Sequence, residues 1–524
     1  MVDLLAEEDP LNELLQGYPG YEHRLADLDE SADQSLRDRA LSIAASASAL
    51  ELAGADHVTR GVVIQQAQAL ATRVDSRLVE HTLADTVASP LAAVLLRLPV
   101  DVPSNDDAFF ARLAAIPGFL AAAANRHRAG VRTGRLPVAS RAAAAIAQLD
   151  TYLADPDGDP LRRPPVRDTA ERDRLLAGVV CPAFAAYREV LRDELAPHGR
   201  TDDQPGLCWL PGGSATYAAL ARMHTTTERT PEELHQTGLD LIAALAEEFV
   251  VIGGVALGCR TLDEIRARMR GDPALRWNSA EELLAANRAA MARAEAAAPQ
   301  WLAELPRHRC GLEPVPEANA PAASSASYQP GPLDGSRPGV YHVNTYRVTE
   351  RDRCITEANA FHEAIPGHHV QISLAQQLTG VPLLRRVAWI NAYMEGWALY
   401  SERLADEMGL YSDDLARLGM LANDSMRAAR LVVDTGLHHY GWPRRRVVDY
   451  LRANTMMSEV EIQSETDRYI EDPGQALSYM IGRLELQRLR TRAEARPGFN
   501  HRTFHGTVLG GGPLPMPVLD EVLA

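Results

Sequence analysis

One stretch limits what this chain can fold into more than any other: Glu357-Ala-Asn-Ala-Phe-His-Glu-Ala-Ile-Pro-Gly-His-His-Val-Gln371. It sets His362 beside Glu363, with His368 and His369 after a short gap. Neutral imidazoles are good zinc ligands, and a carboxylate next to a zinc-activated water is a good general base. In the familiar H-E-x-x-H pattern one helical turn puts both histidines on one face. Here the first two candidate ligands are six positions apart, roughly 9 Å of rise at about 1.5 Å per residue, too far to share one ion. His369 lies nearly in phase with His362 but almost two turns away, so neither His368 nor His369 works on an undistorted helix. Pro366 cannot donate to the carbonyl of His362, and Gly367 tolerates unusual dihedrals. A break at Ile365-Pro-Gly is therefore expected to bring the second ligand back towards His362. The competing reading is a kinked helix carrying solvated histidines.

Composition narrows the function. The formal net charge of -17 disfavours nucleic acid and anionic membrane surfaces as partners. All 53 basic residues counted as Lys+Arg are arginine. The lack of lysine excludes a Walker phosphate loop, a pyridoxal Schiff base and a lysine nucleophile. The 5 cysteines are scattered with no C-x-x-C pair, which reads as free thiols in a reducing compartment. The first residues are acidic and lack a basic segment followed by an apolar run, and no apolar stretch approaches the ~20 residues of a membrane span. These features predict a cytoplasmic protein without a signal peptide or a membrane segment.

From Asp3 to about Leu195 apolar residues recur at three- and four-residue intervals, as in Ser35–Gly54 and Arg141–Leu153, so a helical N-terminal lobe is expected over residues 1–200. Breaks fall at Pro19-Gly, Val100–Asn105 and Asp155–Pro160. Residues 201–524 form the second, motif-bearing lobe. Thr230-Pro-Glu-Glu233 predicts a capping box, and Ser279-Ala-Glu-Glu282 a second helix start running to about Ala298. Phe249–Gly258 has the wrong glycine spacing for a dinucleotide loop and reads as a packed helix. Cys310–Pro316 predicts a strand, Glu317–Pro338 a long loop, and Gly339–Thr345 a half-exposed strand. An exposed edge beside a metal would let a peptide add as an extra strand; an ordinary surface hairpin fits the same residues.

Three further segments carry polar groups in apolar surroundings. Glu395, in Asn391–Tyr400, is a carboxylate on an otherwise apolar helix, to be neutralised by a divalent cation or by an arginine. Glu402 lies two turns on along the same face and either supports such a site or is solvated. Asp434–Tyr440 offers His438 and His439. Asp472-Pro-Gly-Gln-Ala-Leu-Ser-Tyr479 opens a helix with Gln475 and Tyr479 one turn apart, and the Tyr479 hydroxyl either donates to an oxyanion or is core.

Taken in this order, His-Glu-Ala-Ile-Pro-Gly-His-His, Met-Glu-Gly-Trp-Ala-Leu-Tyr and Pro-Gly-Gln-Ala-Leu-Ser-Tyr resemble the family called domain of unknown function 885. Gly17-Tyr-Pro-Gly-Tyr21 and the Arg337-Pro-Gly…Asn344-Thr segment fit it too. The family is similar to zinc metallopeptidases of the gluzincin type, which implies a mainly helical fold with a small β-sheet flanking a deep active-site cleft. The resemblance implies His362, His368 and Glu395 as zinc ligands, Glu363 as the base and Tyr479 as an oxyanion donor. It favours His368 over His369 because the second ligand in related peptidases commonly follows a glycine.

The chain thus reads as a zinc hydrolase that cleaves a peptide or small amide through a metal-activated water, with His438 as a further candidate beside Tyr479. The same site acting on a small metabolite or amino-acid conjugate is the rival within enzymes. A binding protein that has lost catalysis is the rival outside them. A homodimer is compatible with the sequence.

Overall fold

The structure is a computed structural model and describes residues 1–15, 20–83, 89–98, 106–317, 320 and 323–524. The break expected over residues 100–105, Pro19 of the Pro19-Gly break and residues 17–19 of the Gly17–Tyr21 segment lie outside that set, as do residues 318, 319, 321 and 322 of the long loop.

The amphipathic patterning of the first part resolves into helices α1 (Val2–Glu8), α2 (Glu30–Ser48), α3 (Gly54–Ser76), α4 (Asp106–Thr133) and α5 (Ala139–Ala154), with shorter pieces between. The chain turns from α2 to α3 through Gly54, whose φ of 57° suits glycine. Alanine-rich faces let the two helices pack closely, Leu36, Ala40 and Ala44 against Ala67 and Leu70. α4 is apolar and long enough by composition to cross a membrane. In the fold its Phe109, Leu113, Ile116 and Leu120 are buried in a core with Ala142, Ala145 and Leu149 of α5. The other face of α3 belongs to the second half of the chain: Val62 joins the core around Phe361 and Trp397, and Gln66 donates to the Trp389 carbonyl at 3.1 Å.

The second half follows its caps. After α6 (Gly213–Thr225), α7 (Pro231–Leu257) starts at Thr230 with both halves of the capping box formed, and α8 (Ala280–Trp301) starts at Ser279. Phe249–Leu257 lies within α7, where Gly253 lets Ile265 approach closely. The sheet holds β1 (Gly311–Pro314), β2 (Ala326–Gln329) and β3 (Val340–Val343) in the order β1-β3-β2. Two strand expectations change here. Residues 317–338 are not all loop, because Ala326–Gln329 pairs antiparallel with β3. Gly339–Thr345 does not present an exposed edge: β3 is central, parallel to β1 on one side, with Tyr341 opposite Leu312 and Tyr328. Its alternation comes from Tyr341 and Val343 facing the core.

Behind the sheet lie α9 (Thr356–Glu363), α10 (His368–Gln377), α11 (Asn391–Glu407), α12 (Asp414–His438) and α13 (Ser478–Glu494). α11 and α13 cross with their backbones in contact. A methyl group on Gly396 would lie 2.5 Å from the Gly482 backbone, and one on Gly482 would run into the Ala392 carbonyl. Gly482→Ala should therefore cost about 1–3 kcal/mol or more through overpacking. Gly118→Ala, at an exposed position of α4 with open space around it, should be neutral or gain up to about 1 kcal/mol. Thermal denaturation of the two variants checks the contrast; equal melting temperatures would contradict the close crossing.

Candidate metal centre

The helix carrying His362 stops one residue later. α9 ends at Glu363, Ala364 leaves helical geometry at φ -102° and ψ -97°, and α10 begins at His368 after Gly367 at φ -75° and ψ -133°. The Ile365–Pro366 peptide is cis. Gly367 packs on the His362 carbonyl so closely that no Cβ would fit, and the Trp397 indole donates to the Pro366 carbonyl at 2.9 Å. The turn is thereby fixed to α11, the helix that supplies the third residue.

The break brings the two imidazoles together with ring centroids 5.0 Å apart and planes at 88°. Glu395 Oε2 lies 3.7 Å from His362 Nε2 and 3.4 Å from His368 Nε2. One donor atom from each of the three residues falls within 4.8 Å of the others. His362 and His368 are buried, and the Glu395 side chain keeps 12% exposure. Two nitrogens and a carboxylate oxygen converging on one point suit a divalent cation such as zinc.

His369 points elsewhere. Its Nε2 meets the His308 carbonyl at 3.0 Å and its Nδ1 the Tyr328 hydroxyl at 3.1 Å, so it ties α10 to β2 and to the segment before β1. Burial lowers its pKa to about 4, so the ring is neutral.

Glu402 is not solvated. It is fully buried, and its Oε1 lies 2.8 Å from His362 Nδ1 while Oε2 accepts from Asn423 Nδ2 at 3.0 Å. That contact makes Nδ1 the protonated nitrogen and leaves Nε2 facing Glu395. Burial disfavours the charged imidazole, but the hydrogen bonds to Glu395 and Glu402 outweigh it and raise the His362 pKa to about 9. For Glu395 burial acts upwards, yet His362 and His368 hold the carboxylate well below its usual range. The pocket therefore favours positive charge between these groups, as a cation site must.

Glu363 is half-buried, and among the described residues none forms a hydrogen bond or ion pair with it. Its charge is felt nearby: burial and then Glu363 push the Tyr341 phenol well above its usual range. Tyr479 sits at the start of α13 with the Arg430 guanidinium 4.6 Å from its ring centroid. Burial raises its pKa, followed by the Glu395 charge, which marks its nearness to the cluster.

His438 does not join the site. It is fully buried, its Nδ1 accepting from the Leu207 amide at 3.0 Å and its Nε2 lying 2.7 Å from the Tyr469 carbonyl. Both nitrogens are spent on backbone, so an oxyanion role gives way to a structural one. His439 pairs with Glu232 at 2.9 Å instead.

Sequence reasoning missed the support from α12. Asn423 holds Glu402, and Asp424, fully buried, binds Arg403 at 2.6 Å and Arg483, joining α11, α12 and α13. The signal was present: Asn423-Asp424-Ser425 is one of several polar groups, with Arg427, Arg430 and Asp434, on the buried face of this helix.

A cavity of about 650 Å³ reaches Glu395 from the side of the N-terminal helices, with Leu5, Gln66, His224, Asn391 and Gln475 in its wall.

A mainly helical chain with a small sheet and a convergent His-His-Glu cluster is the class these features define. The chain belongs to the family described as "Bacterial protein of unknown function (DUF885)", which it matches over residues 10–523. It is similar in structure to "the putative lipoprotein from Colwellia psychrerythraea", with TM-score 0.91 and 26% identity over 99% of this chain and 96% of that one. It also shares its fold with "a putative lipoprotein of unknown function from Shewanella oneidensis", with TM-score 0.75 and 17% identity over 99% of this chain and 97% of that one. No curated protein matches it. The expectation of a cytoplasmic protein does not stand against these relatives, both of which are described as lipoproteins.

His368→Ala should lose bound metal, whereas His369→Ala should keep it. Glu402→Ala should weaken metal binding about 10–100-fold by freeing the His362 ring. Metal content after dialysis against a chelator reads all three; a metal-replete His368→Ala protein beside a metal-free His369→Ala protein would reverse the assignment.

Proposed function

We propose that the protein is a zinc-dependent hydrolase of peptide or small amide bonds, with a zinc-peptidase-like helical fold whose cavity serves as the active-site cleft. The convergence of His362, His368 and Glu395, oriented by the buried Glu402, carries this reading. Zinc held by these three residues would supply Lewis acidity, lowering the pKa of water and polarising the carbonyl to be attacked.

Glu363 follows His362 directly and has no competing hydrogen bond among the described residues, so its carboxylate is available to take a proton. It takes the proton of the attacking water and delivers it to the leaving nitrogen as the C–N bond breaks and the C–O bond forms. The products are a carboxylic acid and an amine. Tyr479 donates its hydroxyl hydrogen to the oxygen on which negative charge gathers. Arg430 against its ring holds the phenol in place and, with Arg468, opposes the rise that burial and Glu395 give its pKa.

The cavity volume of about 650 Å³ is that of a small-molecule pocket, which favours a short peptide or small conjugate over a folded protein. The description of the Colwellia relative supports a location outside the cytoplasm.

The protein purified without added metal should hold about one zinc per chain. Glu363→Gln should keep that zinc and lose hydrolysis by on the order of 10²–10⁴-fold. Elemental analysis and turnover of a short-peptide panel measure both. A chain that takes up no zinc on titration, or a Glu363→Gln variant as fast as the parent, would sink the proposal.

A further inference from the structure

The cavity wall is charged, and its charges can be paired off one by one. Arg73 binds Glu8 through two hydrogen bonds of 2.7 and 2.6 Å. Arg97 binds Asp9 at 2.6 Å, Arg126 binds Asp33, and Arg77 binds Glu30 at 2.7 Å and Glu80. These four arginines are the cations of the wall, and Glu8, Asp9 and Asp33 are three of its carboxylates. His224, also in the wall, is neutral: burial lowers its pKa to about 3, and it hydrogen-bonds Asn391 at 2.6 Å. Asp27 is exposed and accepts from the Asp29 amide.

Two wall carboxylates remain. Glu395 faces His362 and His368. Asp472 is partly buried, and among the described residues no donor reaches its side chain and no cation pairs with it. The Arg468 guanidinium, whose charge partly offsets the effect of burial on Asp472, makes its own contacts with Glu465 at 3.2 Å and with the Gln475 side-chain amide oxygen. A partly buried carboxylate that no donor and no cation touches among the described residues is costly unless a ligand meets it. Asp472 ends the preceding helix three residues before Gln475, and Tyr479 follows Gln475 by one helical turn, in the field of Glu395. Asp472 and Glu395 of the cluster therefore open onto the same cavity, and Tyr479, seven residues after Asp472, feels the Glu395 charge.

We infer that Asp472 binds a protonated amine of the substrate, so that the cavity selects short peptides or aminoacyl conjugates with a free amino group. This deepens the hydrolase reading and rests on it for the scissile bond, but the amine site can be measured without turnover. The ammonium hydrogen-bonds to Asp472 at one part of the cavity while the amide to be cleaved lies at the cluster. N-acylated compounds forfeit the charge pair and leave the carboxylate buried and unmet.

Calorimetric titration of the zinc-loaded Glu363→Gln protein with trialanine and with N-acetyl-trialanine tests the inference. Trialanine should bind about tenfold or more tightly than its acetylated form, the worth of a charge-assisted hydrogen bond. Asp472→Asn in the same background should erase that preference with zinc content unchanged, and Asp472→Glu should restore part of it. Equal affinity for the two peptides, binding of neither, or a preference that survives in Asp472→Asn overturns the assignment. Release of alanine by the parent enzyme is followed separately. Amine-selective binding without any turnover would leave the Asp472 site standing and remove the hydrolase reading alone.

Discussion

Two imidazoles six residues apart can face one point only if the helix between them is broken, and everything else at this site follows from that break. Pro366 and Gly367 end α9 at Glu363 and restart the chain as α10 at His368, with Gly367 lying against the His362 carbonyl where no side chain would fit. The turn needs an anchor, which Trp397 provides from α11 by a hydrogen bond to the Pro366 carbonyl. Because Glu395 belongs to the same helix as that anchor, the element that fixes the turn also supplies the third donor.

The charges around the cluster form a graded series from the cavity inwards. Glu395 keeps a small exposure, Glu402 behind His362 has none, and Asp424 beyond it is shared by Arg403 and Arg483. Each buried carboxylate has a partner suited to its depth: imidazoles at the mouth, an imidazole and an amide in the middle, guanidinium groups at the back. Buried charges left unpaired would cost several kcal/mol each, so the polar column ties the folding of α11, α12 and α13 to the geometry of the site.

Much of this was legible in the sequence. The histidines around the Pro-Gly break and the lone Glu395 carboxylate on an apolar helix marked the region, while the choice of His368 over His369 came from the family resemblance. The capping boxes at Thr230 and the cap at Ser279 are local, and local chemistry reads well. What failed depended on partners distant in sequence. His438 looked available until Leu207 and Tyr469, far along the chain, took both its nitrogens. The strand at Val340–Val343 reads as half-exposed from its own alternation, and only the pairing of Ala326–Gln329, hidden in a loop-like composition, places it in the middle of the sheet. Asp472 lay in a turn motif where an aspartate is unremarkable, and its lack of a hydrogen-bond or ion-pair partner among the described residues is visible only when the cavity wall is assembled.

The crossing of α11 over α13 has a consequence for how the protein tolerates change. Glu395 sits next to Gly396, and Tyr479 one turn before Gly482, so the separation of these two side chains is set where main chain meets main chain. Most distances in a protein interior drift as neighbouring side chains are exchanged for larger or smaller ones. A spacing set by two glycines in contact has no side chain in it to exchange. Mutational drift in the surrounding core can therefore accumulate with little effect on the gap between the carboxylate and the phenol, while at the two glycines themselves almost no replacement is tolerated.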